Sequence, residues 1–197
     1  MTAGTRAVGA VLCGGRSSRF GQDKALADAG GVPLGLRVVE ALRSGGADPV
    51  VAVGGAAGPA LAIPTIADRA PGAGPLAALA TALLWTGAGL VVVTPCDLPL
   101  LTGDHIAALI DRAGLAERAG QPAAAIAVVD GKPQPSVGCW PASFGPAVQR
   151  AVNGGQRAWH AALHAGPWTG VPLPAEALAD ADTPAALASL LARMLRR

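Results

Sequence analysis

The sequence is poor in aromatic residues: its 197 residues include no tyrosine, two phenylalanines and four tryptophans, or 3% in total. Proteins that bind single-stranded nucleic acid usually stack bases on aromatic rings, and few rings are present here. Charged residues are also scarce at 14%, and the formal net charge of +2 is too small to indicate a polyanion or a membrane surface as partner. The composition therefore argues against nucleic-acid and membrane binding.

Cysteine is equally sparse. Cys13, Cys96 and Cys139 are odd in number and irregular in spacing, which does not suit a disulfide framework, and no C-x-x-C pair indicates a zinc site. Residues 1–6 lack the hydrophobic region of a signal peptide. We therefore expect a cytoplasmic protein.

The longest uncharged stretch, residues 70–96, has the length of a membrane span. Three prolines and four glycines interrupt it, however, and such residues are typical of turns and element ends. We expect a loop, a helix, a turn and a buried strand here instead of a transmembrane helix.

Hydrophobic residues make up 51% of the chain, and their pattern predicts alternating strands and helices. The predicted strands are residues 7–13, 49–53, 63–66, 90–94, 123–129 and 134–140, where Pro135 suits an edge strand or a first strand position. The predicted helices are residues 34–44, 75–85, a helix after Thr102 and a helix from Thr183. This order predicts an α/β protein whose mostly parallel sheet is covered by helices on both faces.

A glycine-rich loop, residues 14–24, follows the first predicted strand. Gly14 and Gly15 let the backbone approach a ligand closely, and backbone N–H groups in such turns bind anions. Arg16, Arg19 and Lys24 add three cations. The loop has neither the Walker A nor the G-x-G-x-x-G spacing. Its glycines and cations nevertheless favour a loop that binds a triphosphate over an ordinary surface turn.

Asp97 follows the most hydrophobic predicted strand within the segment Pro95-Cys96-Asp97-Leu98-Pro99. Magnesium in nucleotide sites takes one or two carboxylates together with phosphate oxygens, so Asp97 is a candidate Mg²⁺ ligand; a turn-forming aspartate is the alternative. Asp182 precedes the last predicted helix and has helix capping as its alternative role. His160 and His164 lie four residues apart but have no third ligand in view, so we interpret them as a helix face.

Several motifs together resemble one family. Residues 12–25 fit the pattern L-x-G-G-x-S-x-R-[MF]-G-x-D-K-A, and further motifs follow in order: Gly74-Pro75-Leu76, Cys96-Asp97-Leu98-Pro99, Gln134-Pro135, Gly155-Gln156-Arg157 and Asp182-Thr183-Pro184. In these motifs the chain resembles the MobA-like nucleotidyltransferases, most of all the molybdenum cofactor guanylyltransferases. The resemblance implies a Rossmann-like three-layer sandwich formed by a single domain over residues 1–197. It also implies transfer of GMP from GTP to the phosphate of molybdopterin, with release of pyrophosphate.

The resemblance also implies roles for individual residues. The nucleotide would be bound by Leu12, Gly14, Gly15, Arg19, Lys24, Asp68, Gly74 and Asp97. Catalysis would depend on Arg19, Lys24 and Asp97, with Mg²⁺ on Asp97, and the acceptor would contact Gln134, Pro135, Arg157 and Asp182. Asp180 and Asp182 stand where the family often has asparagine, and Trp159 is expected at the core or rim, where it could touch the pterin. Transient contact with molybdenum cofactor insertion proteins is a further implied partnership.

Three alternatives stay open at the level of sequence. A sister enzyme would use CTP, but such enzymes tend to carry L-A-A-G and A-D-x-P where this chain has Leu12-Cys13-Gly14-Gly15 and Cys96-Asp97-Leu98-Pro99. A guanylyltransferase could act on another phosphorylated acceptor. A non-catalytic nucleotide-binding protein is the third alternative, against which Arg19, Lys24 and Asp97 together argue.

Overall fold

One mixed sheet forms the centre of the protein. The computed structural model describes residues 6–14 and 23–194. Within them, seven strands lie in the order β3-β2-β1-β4-β6-β5-β7. The strands are β1 Ala7–Leu12, β2 Ala47–Val53, β3 Thr65–Ile66, β4 Leu90–Pro95, β5 Ala124–Val129, β6 Lys132–Pro141 and β7 Trp168–Pro172. Among these strands only β6 runs antiparallel to its neighbours, so the predicted mostly parallel sheet is confirmed.

Helices cover both faces of the sheet. The five α-helices described are α1 Leu34–Ser44, α2 Pro75–Thr86, α3 Gly103–Arg118, α4 Gly145–Asn153 and α5 Pro184–Met194. Side chains of α1 and α3 share one apolar cluster with one sheet face, and side chains of α2 and α4 share another cluster with the opposite face. Because β1 and β4 are covered on both sides, their sequences are apolar almost throughout. The three-layer α/β architecture predicted from the sequence is thus confirmed.

The uncharged stretch of residues 70–96 forms a loop, α2, a short turn and β4, as expected. No helix in the described part of the chain has the length and hydrophobicity needed to cross a bilayer. All three cysteines are buried and free.

The strand β6 differs from its prediction because it lies inside the sheet, between β4 and β5. Pro135 is nevertheless tolerated there. Its partner β5 pairs Ile126 with Gly138 and the next residue, Ala127, with Gln134, so residues 135–137 bulge out of the ladder. A bulged residue needs no ladder hydrogen bond, which removes the conflict with proline. Since β4 pairs with β6 only as far as Val93 and Gly138, the bulge lies beside the last residues of β4, at its carboxyl end.

The region after β6 was only partly predicted. The structure adds α4, which begins with a glycine-proline pair suited to a helix start, and the edge strand β7. The segment Trp159–His164 forms a 3₁₀ helix in place of an α-helix. With three residues per turn, residues four apart do not share a face, so the geometry gives no support to a metal site on His160 and His164.

A third, smaller apolar cluster attaches the C-terminal part of the chain to the N-terminal half. It consists of Ala27, Ala29, Leu34, Ala181, Leu187 and Leu190. The backbone N–H of Ala181 donates to the carbonyl oxygen of Asp97 at 2.9 Å. The segment before α5 therefore crosses the carboxyl edge of the sheet beside the loop that follows β4.

Candidate active site

Three charged residues from distant parts of the chain meet at the carboxyl ends of β1 and β4. The ammonium of Lys24 donates to Asp97 Oδ2 at 2.6 Å and to Asp182 Oδ1 at 2.6 Å. Lys24 opens a 3₁₀ turn whose N-terminus is capped by Asp23, because the Asp23 side chain accepts from the backbone N–H of Ala25. Three residues predicted from separate motifs are thereby brought together.

Asp182 does not need to cap α5, because Thr183 does so. The hydroxyl oxygen of Thr183 accepts from the backbone N–H of Ala186 at 3.1 Å. The Asp182 carboxylate is instead bound to Lys24. The capping alternative for Asp182 is therefore wrong.

The site concentrates carboxylates around one ammonium group. Burial opposes the charged form of Lys24, but hydrogen bonds to Asp182 and Asp97 and the charges of both outweigh it, so the pKa of Lys24 is raised above 10.5. Burial raises the pKa of Asp180 above 3.8, and the charges of Asp182 and Asp97 raise it further, while Lys24 opposes this. The carboxylates of Asp97 and Asp182 thus both contact the Lys24 ammonium, and Asp180 lies close enough for the charges of all three residues to act on it.

The carboxyl ends of β1, β2 and β3 form a glycine-lined floor. A Cβ atom placed on Gly54 would lie 3.5 Å from Gly14 Cα and 3.6 Å from Asp68 Cβ, so the backbones that carry these residues are close together. Gly54 and Gly55 have φ angles of 67° and 65°, in the left-handed region that favours glycine. This pair of glycines was not predicted to belong to the site, although Val53-Gly54-Gly55 repeats the pattern of the first loop, a strand followed by two glycines.

Asp68 is held at this floor by two donors. Its Oδ1 accepts from the backbone N–H of Ala70 at 3.1 Å and from the hydroxyl of Thr81 at 3.2 Å. Leu12 ends β1 next to Gly14. The donor-side residues Leu12, Gly14 and Asp68 thus lie along one edge of the sheet, whereas Gly15 and Arg19 lie outside the described residues.

Gly74 and Arg157 lie against each other. Gly74 caps α2 with a φ of 88°, and a Cβ placed on it would lie 3.3 Å from both the Cβ and the carbonyl oxygen of Arg157. The Arg157 guanidinium donates to the carbonyls of Val152 and Gln156. A residue predicted to bind the nucleotide and a residue predicted to contact the acceptor are therefore neighbours at the N-terminus of α2.

A cavity of about 240 Å³ opens beside Asp97. Its lining consists of Pro95, Asp97, Leu98, Gln134, Ser136, Val137, Trp159, Leu178 and Asp180. Four residues were predicted to contact the acceptor. Of these, Gln134 lines the cavity, and Pro135 is buried in the adjoining bulge of β6. Asp182 is bound to Lys24, and Arg157 lies beside Gly74, so neither is part of the lining. Asp180, which was noted in the sequence beside Asp182, also lines the cavity, and Ser136 is an addition that the motifs did not indicate.

The carboxylates present suit a magnesium ion that takes most of its ligands from phosphates and water. No group of three or more metal-ligating side chains occurs within residues 6–14 and 23–194. Mg²⁺ in phosphoryl-transfer sites typically uses one or two carboxylates and takes its other ligands from phosphates and water. Asp97, only 19% exposed and placed directly after β4, supplies a carboxylate of that kind.

Comparison with known proteins agrees with this geometry. Residues 9–167 match the sequence model of the MobA-like NTP transferase domain. The chain belongs to the MobA-like NTP transferase family. Its members are nucleotidyltransferases, so the chain is an enzyme of that class and the resemblance seen in the motifs is confirmed.

Two curated relatives and one solved structure illustrate the family. A probable molybdenum cofactor guanylyltransferase of Carboxydothermus hydrogenoformans is 35% identical over 141 residues, covering 72% of this chain and 68% of the relative. A molybdenum cofactor guanylyltransferase of Xanthomonas euvesicatoria is 44% identical over 103 residues, 52% of each chain. The crystal structure of molybdopterin-guanine dinucleotide biosynthesis protein A from Archaeoglobus fulgidus superposes with a TM-score of 0.73 at 21% identity, covering 98% of this chain and all of the other, and it supports the fold.

Proposed function

We propose that this protein transfers GMP from GTP to the phosphate of molybdopterin, forming molybdopterin guanine dinucleotide and pyrophosphate. The observation that carries the proposal is the convergence of Lys24, Asp97 and Asp182 between a glycine-lined floor and a cavity. Relatives that bear the name molybdenum cofactor guanylyltransferase support the choice of donor and acceptor.

In this proposal the donor lies along the floor formed at the ends of β1, β2 and β3. Leu12, Gly14, Gly15, Asp68 and Gly74 bind the nucleoside part. Glycines suit this role because their backbones allow close approach, and Gly14 and Gly54 already lie near Asp68. Arg19 and Lys24 bind the phosphates. Lys24 keeps its charge at any physiological pH because Asp182 and Asp97 raise its pKa.

Asp97 is proposed to bind Mg²⁺, which when bound neutralises charge on the phosphate oxygens. The chain itself contributes positioning: the backbone of Asp97 is fixed by its hydrogen bond from Ala181, and its carboxylate is held by Lys24. Two anions must meet in this reaction, so neutralising and orienting them is the main catalytic task. No general base is required, since the attacking phosphate is ionised at neutral pH.

The acceptor is proposed to occupy the cavity beside Asp97. Gln134 and Ser136 of β6 offer neutral hydrogen-bonding groups, and the ring of Trp159 offers an aromatic surface. The proposed acceptor site also includes Pro135, Arg157 and Asp182. Transfer of the product to an insertion protein, and the cytoplasmic location, stay predictions.

The test is pyrophosphate release from GTP and from CTP with Mg²⁺, with and without molybdopterin, for wild type and Asp97→Asn. We expect release that requires GTP and molybdopterin, and a loss of about 100-fold or more in kcat for Asp97→Asn. Asp104→Asn, which changes an exposed acid in the first turn of α3, is the control and should behave as wild type. A preference for CTP would indicate the sister enzyme. GTP binding without release in the presence of competent molybdopterin would disprove the assigned acceptor.

A further inference from the structure

Thr81 is a polar residue in an otherwise apolar environment. Eight consecutive residues of α2, from Leu76 to Leu83, are buried, and seven of them are leucine or alanine. Thr81 is the exception and is only 2% exposed. Burying a hydroxyl is unfavourable unless it forms hydrogen bonds, so the partners of this group indicate its role.

Those partners lie in the loop after β3, beside the floor that we propose for the nucleotide. The Thr81 hydroxyl donates to Asp68 Oδ1 at 3.2 Å and accepts from the backbone N–H of Arg69 at 3.1 Å. Asp68 Oδ1 also accepts from the backbone N–H of Ala70. One oxygen of the carboxylate is thus fixed by two donors, which sets the orientation of the other.

A second threonine in the same helix shows the usual behaviour. The hydroxyl of Thr86 donates to the carbonyl of Ala82, four residues earlier, at 3.0 Å. Threonines within helices commonly form this local bond. The hydroxyl of Thr81 forms a bridge from α2 to the loop after β3 instead, so the helix holds a side chain on another element.

We propose that Thr81 is a positioning residue for the nucleotide donor: its hydroxyl orients the Asp68 carboxylate so that this group can accept a hydrogen bond from the nucleotide. The inference rests on the proposed assignment of Asp68 to the donor site. Because Thr81 itself is buried, it acts through Asp68 without touching the ligand.

The test measures the Kd for GTP with Mg²⁺ by calorimetry, and kcat and KM for GTP. Thr81→Val keeps the shape and removes the hydroxyl, Thr81→Ser keeps the hydroxyl, and Thr86→Val removes the local hydroxyl as a control. We expect Thr81→Val to weaken GTP binding and raise KM about tenfold while kcat changes less than about twofold. Thr81→Ser should restore binding to within about twofold of wild type, and Thr86→Val should bind GTP as wild type does.

A double-mutant cycle with Asp68→Asn shows whether Thr81 acts through Asp68. If it does, Thr81→Val should add less than about twofold in the Asp68→Asn background. The inference is wrong if Thr81→Val keeps its full effect there, if it leaves GTP affinity unchanged, or if it lowers Tm and kcat with Kd unchanged. If Asp68→Asn itself leaves Kd unchanged, the donor-site assignment of Asp68 fails as well. Because the Kd for GTP is measured without acceptor, an error in the assigned acceptor would affect kcat and KM but not the outcomes that rest on Kd.

Discussion

Two aspartates close in sequence differ in their surroundings. Asp182 forms an ion pair with Lys24, whereas Asp180 lines the cavity and has a pKa raised by burial and by the charges of Asp182 and Asp97. Asp182 is therefore paired with a cation, whereas the ionised form of Asp180 is disfavoured, and substitution of each by asparagine separates the two effects.

We expect Asp180→Asn to raise the Tm at pH 7 and Asp182→Asn to lower it. Because the pKa of Asp180 is higher in the folded state than 3.8, its ionisation penalises folding above the folded pKa, and this penalty disappears below pH 3.8, where both states are protonated. The Asp180→Asn gain should accordingly vanish between pH 7 and pH 3.5 in thermal melts. Loss of the Asp182 pair should be worth about 1 kcal/mol or less, since that carboxylate is 54% exposed. A lower Tm for Asp180→Asn at pH 7 would contradict this account.

At the scale of elements, the edge of the sheet that we propose for the nucleotide depends on the glycines that follow β1 and β2. Gly54 and Gly55, which follow β2, lie against Cys13 and Gly14, and a Cβ on Gly55 would be 2.5 Å from the carbonyl oxygen of Cys13. Since that neighbour is backbone, it cannot rotate away. The end of β1 would have to move, and Gly14 with it.

We expect Gly55→Ala to reduce stability and GTP affinity more than Gly72→Ala does. Both glycines have positive φ, 65° and 79°, so both substitutions incur left-handed strain of about 1–2 kcal/mol. No atom lies within 4 Å of a Cβ added to Gly72, so backbone strain should account for the whole loss of stability in Gly72→Ala. Urea denaturation and GTP titration of both variants make the comparison. Equal losses in the two variants would show that contact with Cys13 is unimportant.

Elements that depend on local pattern were predictable, and pairings between distant elements were not. The apolar runs of β1 and β4 and the amphipathic pattern of α1 predicted the layers, because their burial is encoded in their own residues. The bulge in β6 was not predictable, because it depends on the register with β5. Likewise, Lys24 and Asp97 were each predicted, but the contact between them joins residues 73 positions apart. The contact of Thr81 was not predictable either, because its partner Asp68 lies on another element.

At the scale of the whole molecule, the site is completed by the C-terminal part of the chain. Lys24 and Asp182 are separated by 158 positions, and the segment that carries Asp180 and Asp182 is anchored by the small cluster containing Leu187 and Leu190. This cluster is distinct from the two that flank the sheet. The side of the site that we propose for the acceptor therefore depends on packing that the proposed nucleotide floor does not share.

We expect Leu187→Ala to raise the KM for molybdopterin severalfold while leaving GTP affinity nearly unchanged. The side chain of Leu187 is 4% exposed, so its truncation should lower the free energy of unfolding by about 2–5 kcal/mol and loosen the segment that joins Ala181 to Asp97. Leu83→Ala is the matched control, since Leu83 is fully buried near the C-terminal end of α2, away from the carboxyl edge of the sheet. Leu83→Ala should lower the free energy of unfolding by a similar amount without a selective change in the KM for molybdopterin. Urea denaturation and steady-state kinetics well below both melting temperatures make the comparison. Equal changes of acceptor KM in the two variants would mean that general loosening, and not the anchoring of the C-terminal segment, controls the acceptor side.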